Sequence, residues 1–248
     1  MQIIYILWER QLKRYYRNKT RVIGSLAQPL LFLFALGFGF GPVFQQAGAG
    51  SYLNFLVPGI IAMSILFTSI FSGFELIWDK QFGFLKETLV APVSRLKIMI
   101  GRTLGGATIA VFQGVTILLI SLLFGFKIFS LAYVFLAIIF MFLTAILFTA
   151  LGTAIASKLT DMQGFQLLMS LLVMPMFFLS GALFPLEGLS KGISFIIKLN
   201  PLTYAVDLIR YLLTGIKAIP IYTSLIVVII VMVITVFVAS YLFGKMQV

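Results

Sequence analysis

Apolar and polar positions alternate along this chain in long blocks. Six apolar runs cover roughly residues 22–40, 53–77, 104–126, 131–156, 165–184 and 221–243. Each approaches the ~20 apolar residues that a helix needs to cross a hydrocarbon core of about 30 Å. Residues 1–21 follow a different rhythm. Ile4, Tyr5, Trp8, Leu12, Tyr15 and Tyr16 share one helical face, and Arg10, Lys13, Arg14 and Arg17 share the other. Aromatic rings opposite a basic face predict an interfacial helix, with rings at headgroup depth and cations near anionic lipid. Such a helix either only sets orientation at the membrane surface or also touches a cytoplasmic partner.

Two stretches depart from the simple pattern. Residues 78–102, WDKQFGFLKETLVAPVSRLKIMIGR, separate the second and third runs and hold five of the 18 Lys+Arg and two of the seven Asp+Glu. Within them Phe82, Leu85 and Leu89 fall on one helical stripe, with Lys86 and Glu87 on the other side. Pro92 ends the run, because the residue before a proline is pushed out of the helical region. A short helix over 81–90 with one apolar face either lies on lipid or plugs into a soluble partner; the second reading is preferred here.

The other departure is 187–215. Two apolar half-stretches, 189–199 and 202–213, flank Asn200-Pro201. At about 17–18 Å each as helix, neither crosses alone. They are expected to form a re-entrant hairpin that enters the outer leaflet and returns, rather than two helices lying flat outside. Asn200 and Pro201 would form the bend, and Glu187, Asp207 and Arg210 would need polar company there. The expected fold is an all-α polytopic membrane protein forming one domain over 1–248. It has six transmembrane helices, an amino-terminal interface helix and the hairpin before the last span.

Composition agrees. The chain is 61% hydrophobic and 10% charged, against about 25% charged residues in globular domains. Its net charge of +11 sits in loops and at span ends, so orientation in a bilayer explains it better than nucleic acid. With both termini cytoplasmic, 13 of the 18 basic residues lie inside. The basic amino terminus is followed by no small-residue cleavage site, so no removable signal peptide is expected. The sequence has no Cys and no His, which rules out disulfides, thiolate nucleophiles and histidine metal sites.

Candidate chemistry is sparse. The chain has no P-loop, no metal-ligand cluster and no nucleophile with a base, so no catalytic or metal-binding residue is assigned. Gly37, Gly39 and Gly41 follow no strand and fail the dinucleotide pattern. Gly101 and Gly105 form a small-xxx-small match suited to close helix packing. Glu75 is the ionisable residue well inside a run, expected to reach the interface or to pair with Lys80 or Arg102. Phe34 and Phe38, with Met174, Phe177 and Phe178 around Pro175, serve either as ordinary packing and lipid contact or as an apolar lining for an amphiphilic substrate. No internal repeat is found, which argues against inverted-repeat carriers.

Residues 78–95, WDKQFGFLKETLVAPVSR, and 179–210, LSGALFPLEGLSKGISFIIKLNPLTYAVDLIR, together resemble the type-2 integral membrane permeases of ATP-binding cassette (ABC) transporters, especially the drug-resistance and polysaccharide-export group. The order of elements is similar along the whole chain. The resemblance implies a half-transporter in the cell (plasma or inner) membrane, pairing with a second permease copy as a homodimer and with two separate ATPase subunits. ATP and Mg would be bound by those subunits and no cofactor by this chain. It also implies export of an amphiphile (drug, lipid or lipid-linked glycan), with 81–90 as the coupling helix in an ATPase groove and 1–21 as the interface helix. Spans 1 and 5 would line the dimer interface and export path. Rival readings are an autonomous carrier or channel driven by ion gradients, and a structural factor that recruits a soluble complex through 82–89. On the coupling reading, charge reversal at Glu87 or Leu85→Asp is expected to detach the ATPase in co-purification while the permease still inserts. Full export with normal co-purification would contradict it.

Overall fold

The computed structural model describes residues 2–46, 51–90, 93–159, 161–185 and 190–246. No strand occurs among them. Helix α1 (Gln2–Arg17) is parted from α2 (Lys19–Gln46) by Asn18 alone, whose Oδ1 accepts the Arg21 amide at 3.0 Å and caps the new helix. There follow α3 (Tyr52–Gln81), the short α4 (Phe84–Val90), α5 (Arg95–Leu123) and α6 (Leu131–Lys158). Helix α7 (Met162–Leu168) passes through a π turn (Met169–Val173) into α8 (Met174–Phe178). The last elements are α9 (Lys191–Leu199), α10 (Pro201–Thr214) and α11 (Ile221–Gly244).

Five of these helices, α2, α3, α5, α6 and α11, are long and apolar enough to span a membrane. The fifth run, 165–184, is less helical than the pattern indicated. It is helical only over Met162–Phe178, about 25 Å at 1.5 Å per residue. Its π turn lies just before Pro175, which has no amide to donate. Beyond Phe178 the chain winds non-helically through Gly181 at φ 73°. Ser180, Ala182 and Leu183 are buried there, which is what non-helical backbone at membrane depth requires.

Contacts sort every element to one of two ends. At the basic end Arg21 pairs with Glu75, Phe74 meets Phe165 at 5.6 Å, and Arg95 donates to the carbonyls of Gly244 and Met246 at 2.7 and 2.9 Å. At the far end the Phe129 amide donates to Leu213 O at 2.9 Å, and Tyr52 OH to Leu183 O at 3.2 Å. Thus α2, α3, α5, α6, α7–α8 and α11 each run from one end to the other. The α9–α10 pair begins and finishes at the far end. It is bent by 82°, an elbow rather than a tight hairpin. Helix α10 is buried along most of its length, whereas α9 exposes Phe195, Ile196 and Leu199.

The core is organised around α3. Of its apolar window 72% is buried, against 11% for α2 and 17% for α11. Glycines let α3 and α6 approach backbone to backbone and seat α5 against side chains of both. A Cβ added at Gly152 would lie 2.7 Å from Ile70 O, and one at Gly106 would lie 2.8 Å from Ser72 Oγ. Gly101 and Gly105 seat α1 on α5: added Cβ atoms would meet Leu7 Cβ at 2.9 Å and Gln11 Cβ at 2.7 Å. The buried face of α1 is therefore Leu7, Gln11 and Tyr15, and this helix packs on protein as well as facing the surface. We expect Gly152→Ala to force α3 and α6 apart and cost about 1–3 kcal/mol. Thermal melting in detergent checks this, with Gly39→Ala, which meets nothing within 4 Å, as the unaffected control.

Candidate functional site at the basic end

Asp79, in the last turn of α3, is almost fully buried and collects arginines from two other elements. Arg102 of α5 donates from Nη1 to Asp79 Oδ2 at 2.6 Å, and Arg14 of α1 to Oδ1 at 3.0 Å. Arg10 of α1 places Nη2 4.0 Å from the same Oδ1. Arg102 is itself buried, and its Nη2 has no partner among the described residues. Charge-assisted bonds of this length are strong, and burial keeps water from competing with them. One carboxylate thus fixes the relative positions of α1, α3 and α5. Glu75, one turn earlier, pairs with Arg21 of α2 rather than with Lys80 or Arg102. Lys13, by contrast, makes only a surface pair with Glu9 at 2.7 Å. Trp8 Nε1 donates to Thr108 Oγ1 at 3.0 Å, tying α1 to α5 a second time.

Immediately beyond Asp79 the chain turns a corner. Helix α3 continues to Gln81, Gly83 adopts φ 81°, and α4 begins only at Phe84, so the expected helix over 81–90 is shorter. The stripe of Phe82, Leu85 and Leu89 does not face outward as a unit. Leu85 is 1% exposed in this chain's own core, because the corner rotates α4 so that this side chain points back at the bundle. Leu85→Asp would therefore test folding rather than docking. What the corner does expose is aromatic: Phe82 at 62%, Phe84 at 53% and Trp78 at 40%, with Trp78 and Phe82 rings 5.0 Å apart. Glu87 is exposed beside them. The side chains of Lys86 and Leu89 lie outside the described residues.

Between α2 and α3 lies a cavity of about 820 Å³. Phe67, Phe71, Phe74 and Trp78 form its apolar wall; Tyr15, Ser25, Ser64, Thr68 and Gln113 form its polar floor. Gln113, fully buried in α5, holds that floor together. Its Nε2 donates to Tyr15 OH at 2.8 Å and to Ser25 Oγ, and its Oε1 accepts from Ser64 Oγ at 3.4 Å and from Thr68 Oγ1. All four of its hydrogen-bonding valences are met.

The remaining candidates divide. Asn200 caps α10 by accepting the Leu202 amide at 3.0 Å, and its Nδ2 donates to Met176 O at 2.6 Å. Pro201 occupies the first helical turn, where no amide is needed. Arg210 donates to Gly181 O at 2.8 Å and to Phe55 O at 3.4 Å, its guanidinium 3.9 Å from the centre of the Phe55 ring. Asp207 accepts the Ala218 and Ile219 amides at 2.8 and 3.3 Å. These side chains tie the elbow to the bundle. Glu187 lies outside the described residues.

The five aromatic and methionine candidates do not form one wall. Phe34 and Phe38 stack at 6.2 Å and pack against Phe124, the residue just past α5. Phe177 is buried against Phe32 and Phe67, while Met174 and Phe178 are exposed. Phe32 and Phe34 are two residues apart, hence on nearly opposite sides of α2, so Phe32 rather than Phe34 faces α8. Sequence reasoning missed Asp79 and Tyr15 as organising groups. The visible signals were a carboxylate at the end of a span and, in Gln113, an amide deep within another.

These features define a multi-pass, all-helical membrane protein with its charged machinery at one end. Residues 2–214 match the family model described as ABC-2 type transporter, and the chain belongs to that family. It is 30% identical over 219 residues to the transport permease ycf38 of Cyanophora paradoxa, covering 86% of this chain and 74% of that protein. It is also 29% identical over 214 residues to nodulation protein J of Rhizobium leguminosarum bv. trifolii (85% and 78%) and 31% identical over 199 residues to that of Neorhizobium galegae (78% and 74%). The chain is therefore a transmembrane subunit of an ABC transport system. It is not itself an enzyme, and its family implies a partner ATPase.

Removing the shared carboxylate leaves buried guanidinium charge uncompensated. Asp79→Asn is expected to cost about 3–5 kcal/mol and loosen α1 from the bundle. A lower melting temperature, together with faster proteolysis within 2–17, would be the readout; an unchanged melting curve would contradict the role assigned to Asp79.

Proposed function

We propose that this chain is the membrane half of an exporter, pairing with a second copy of itself and driven by two separate ATPase subunits seated against the corner at residues 78–90. The exposed Trp78, Phe82 and Phe84, next to the buried Asp79, carry this reading. Three large rings exposed at the corner where a span ends are the kind of anchor that a protein groove receives. The basic end is then cytoplasmic, which agrees with its excess of Lys and Arg. Movement of the corner would be passed through Asp79 to α1 and α5. ATP and Mg belong to the partner, and this chain supplies the route across the cell membrane.

The cavity between α2 and α3 favours an amphiphilic cargo taken from the cytoplasm or inner leaflet. An aromatic wall beside hydroxyls, one amide, Arg14 and the Arg21–Glu75 pair accepts an apolar tail and a polar group together. Each state of the transport cycle must bind that cargo differently, or ATP hydrolysis moves nothing.

The double substitution Phe82→Asp with Phe84→Asp is expected to abolish co-purification of the ATPase and ATP-dependent export, with the melting temperature of the permease alone nearly unchanged. Retained ATPase binding by this variant would refute the docking site. Lost binding with normal export would refute the coupling role.

A further inference from the structure

A groove of about 1290 Å³ runs between α1 and the α3–α4 corner, sharing Arg14, Asn18, Thr20 and Trp78 with the lining of the Gln113 cavity. One wall is cationic: Arg10, Lys13, Arg14, Arg17 and Lys19. The other is aromatic, made by Trp78, Phe82 and Phe84, with the Arg10 guanidinium 5.8 Å from the centre of the Phe84 ring. Among the described residues, the carboxylates that line it are Glu9 and Asp79. Glu9 is taken by Lys13. Asp79 is already shared among three arginines, and even Arg102, its closest partner, keeps a buried Nη2 without a hydrogen-bond acceptor among the described residues. Arg17 and Lys19 make no ion pair among the described residues. The groove therefore holds positive charge that the chain itself does not neutralise.

We propose that this groove is a binding site for the phosphate headgroup of an anionic bilayer lipid, held between α1 and the corner. Three observations favour a lipid over other anions. The groove lies where the apolar span α3 gives way to basic sequence, at the depth where headgroups sit. Its aromatic wall and Ile6 offer an apolar path for the first part of an acyl chain, which a free anion does not need. Ile6 is itself exposed, so that apolar path opens outward from the groove. Guanidinium groups supply paired donors to phosphate oxygens, and the excess charge supplies the attraction. Such a lipid would brace α1 against the corner, so the inference extends the proposed function without depending on an ATPase being bound.

The test uses the full chain, purified in detergent and supplied with phosphatidylglycerol or phosphatidylcholine, with retained lipid counted by native mass spectrometry. Arg17→Gln with Lys19→Gln is compared with Lys97→Gln with Lys158→Gln, which removes the same charge from exposed positions at the same end. The expected result is preferential retention of phosphatidylglycerol, reduced about tenfold or more by the groove pair and little by the control pair. Melting temperatures should be equal for both variants. Equal losses in the two pairs would reduce the groove to general surface attraction and overturn the proposal. Displacement of the lipid by excess inorganic phosphate would assign the site to a free anion instead. Unchanged lipid retention with lost ATPase co-purification would assign the groove to the protein partner. Either result also overturns the lipid site.

Discussion

A single buried carboxylate has to satisfy cations from two neighbouring helices, and much of the basic end is arranged around that demand. Burying an ion costs several kcal/mol unless close partners replace its water, so Asp79 cannot sit at 3% exposure without them. Arg102 comes from the first turns of α5, Arg14 and Arg10 from α1. The helix that bears Asp79 is also the most buried in the bundle and leads directly into the exposed corner. A displacement of that corner therefore cannot leave α1 and α5 where they were.

Away from that end, the bundle is held by close backbone approach and by fully satisfied polar groups. The glycines at 106 and 152 bring α3, α5 and α6 together, and Gln113 ties α5 to α1, α2 and α3 through four hydrogen bonds. Arg210, Asn200 and Asp207 do the corresponding work at the far end, where they spend their donors and acceptors on backbone groups of non-helical segments. Among the described residues no acid lies in the middle of a spanning helix, and Glu75 and Asp79 are held in ion pairs. This is a poor arrangement for carrying protons through the membrane.

Much of this was readable from residue order because the signals are local. Six apolar runs and the break at Asn200-Pro201 act within a few residues; they predict the passages and a bend at 200–201, expected as a hairpin and found as an 82° elbow. The resemblance carried by 78–95 and 179–210 led to the same family that the comparison over 2–214 shows. What escaped reading depends on distant partners. Arg21 lies 54 residues from Glu75, and nothing near Glu75 favours it over Lys80. Leu85 looks like the middle of an outward stripe until the turn at Gly83 rotates it inward. The glycines at 101 and 105 announced close packing, but not that α1 would be the helix packed there.

On the proposed reading, this chain supplies a passage and no driving force. The decisive experiment reconstitutes the chain alone in liposomes, with a proton or sodium gradient imposed and a fluorescent amphiphile as cargo, beside vesicles that also carry the partner ATPase and ATP. Accumulation against the cargo gradient is expected only with the ATPase and ATP present. Uphill movement by the chain alone under an ion gradient would refute the reading.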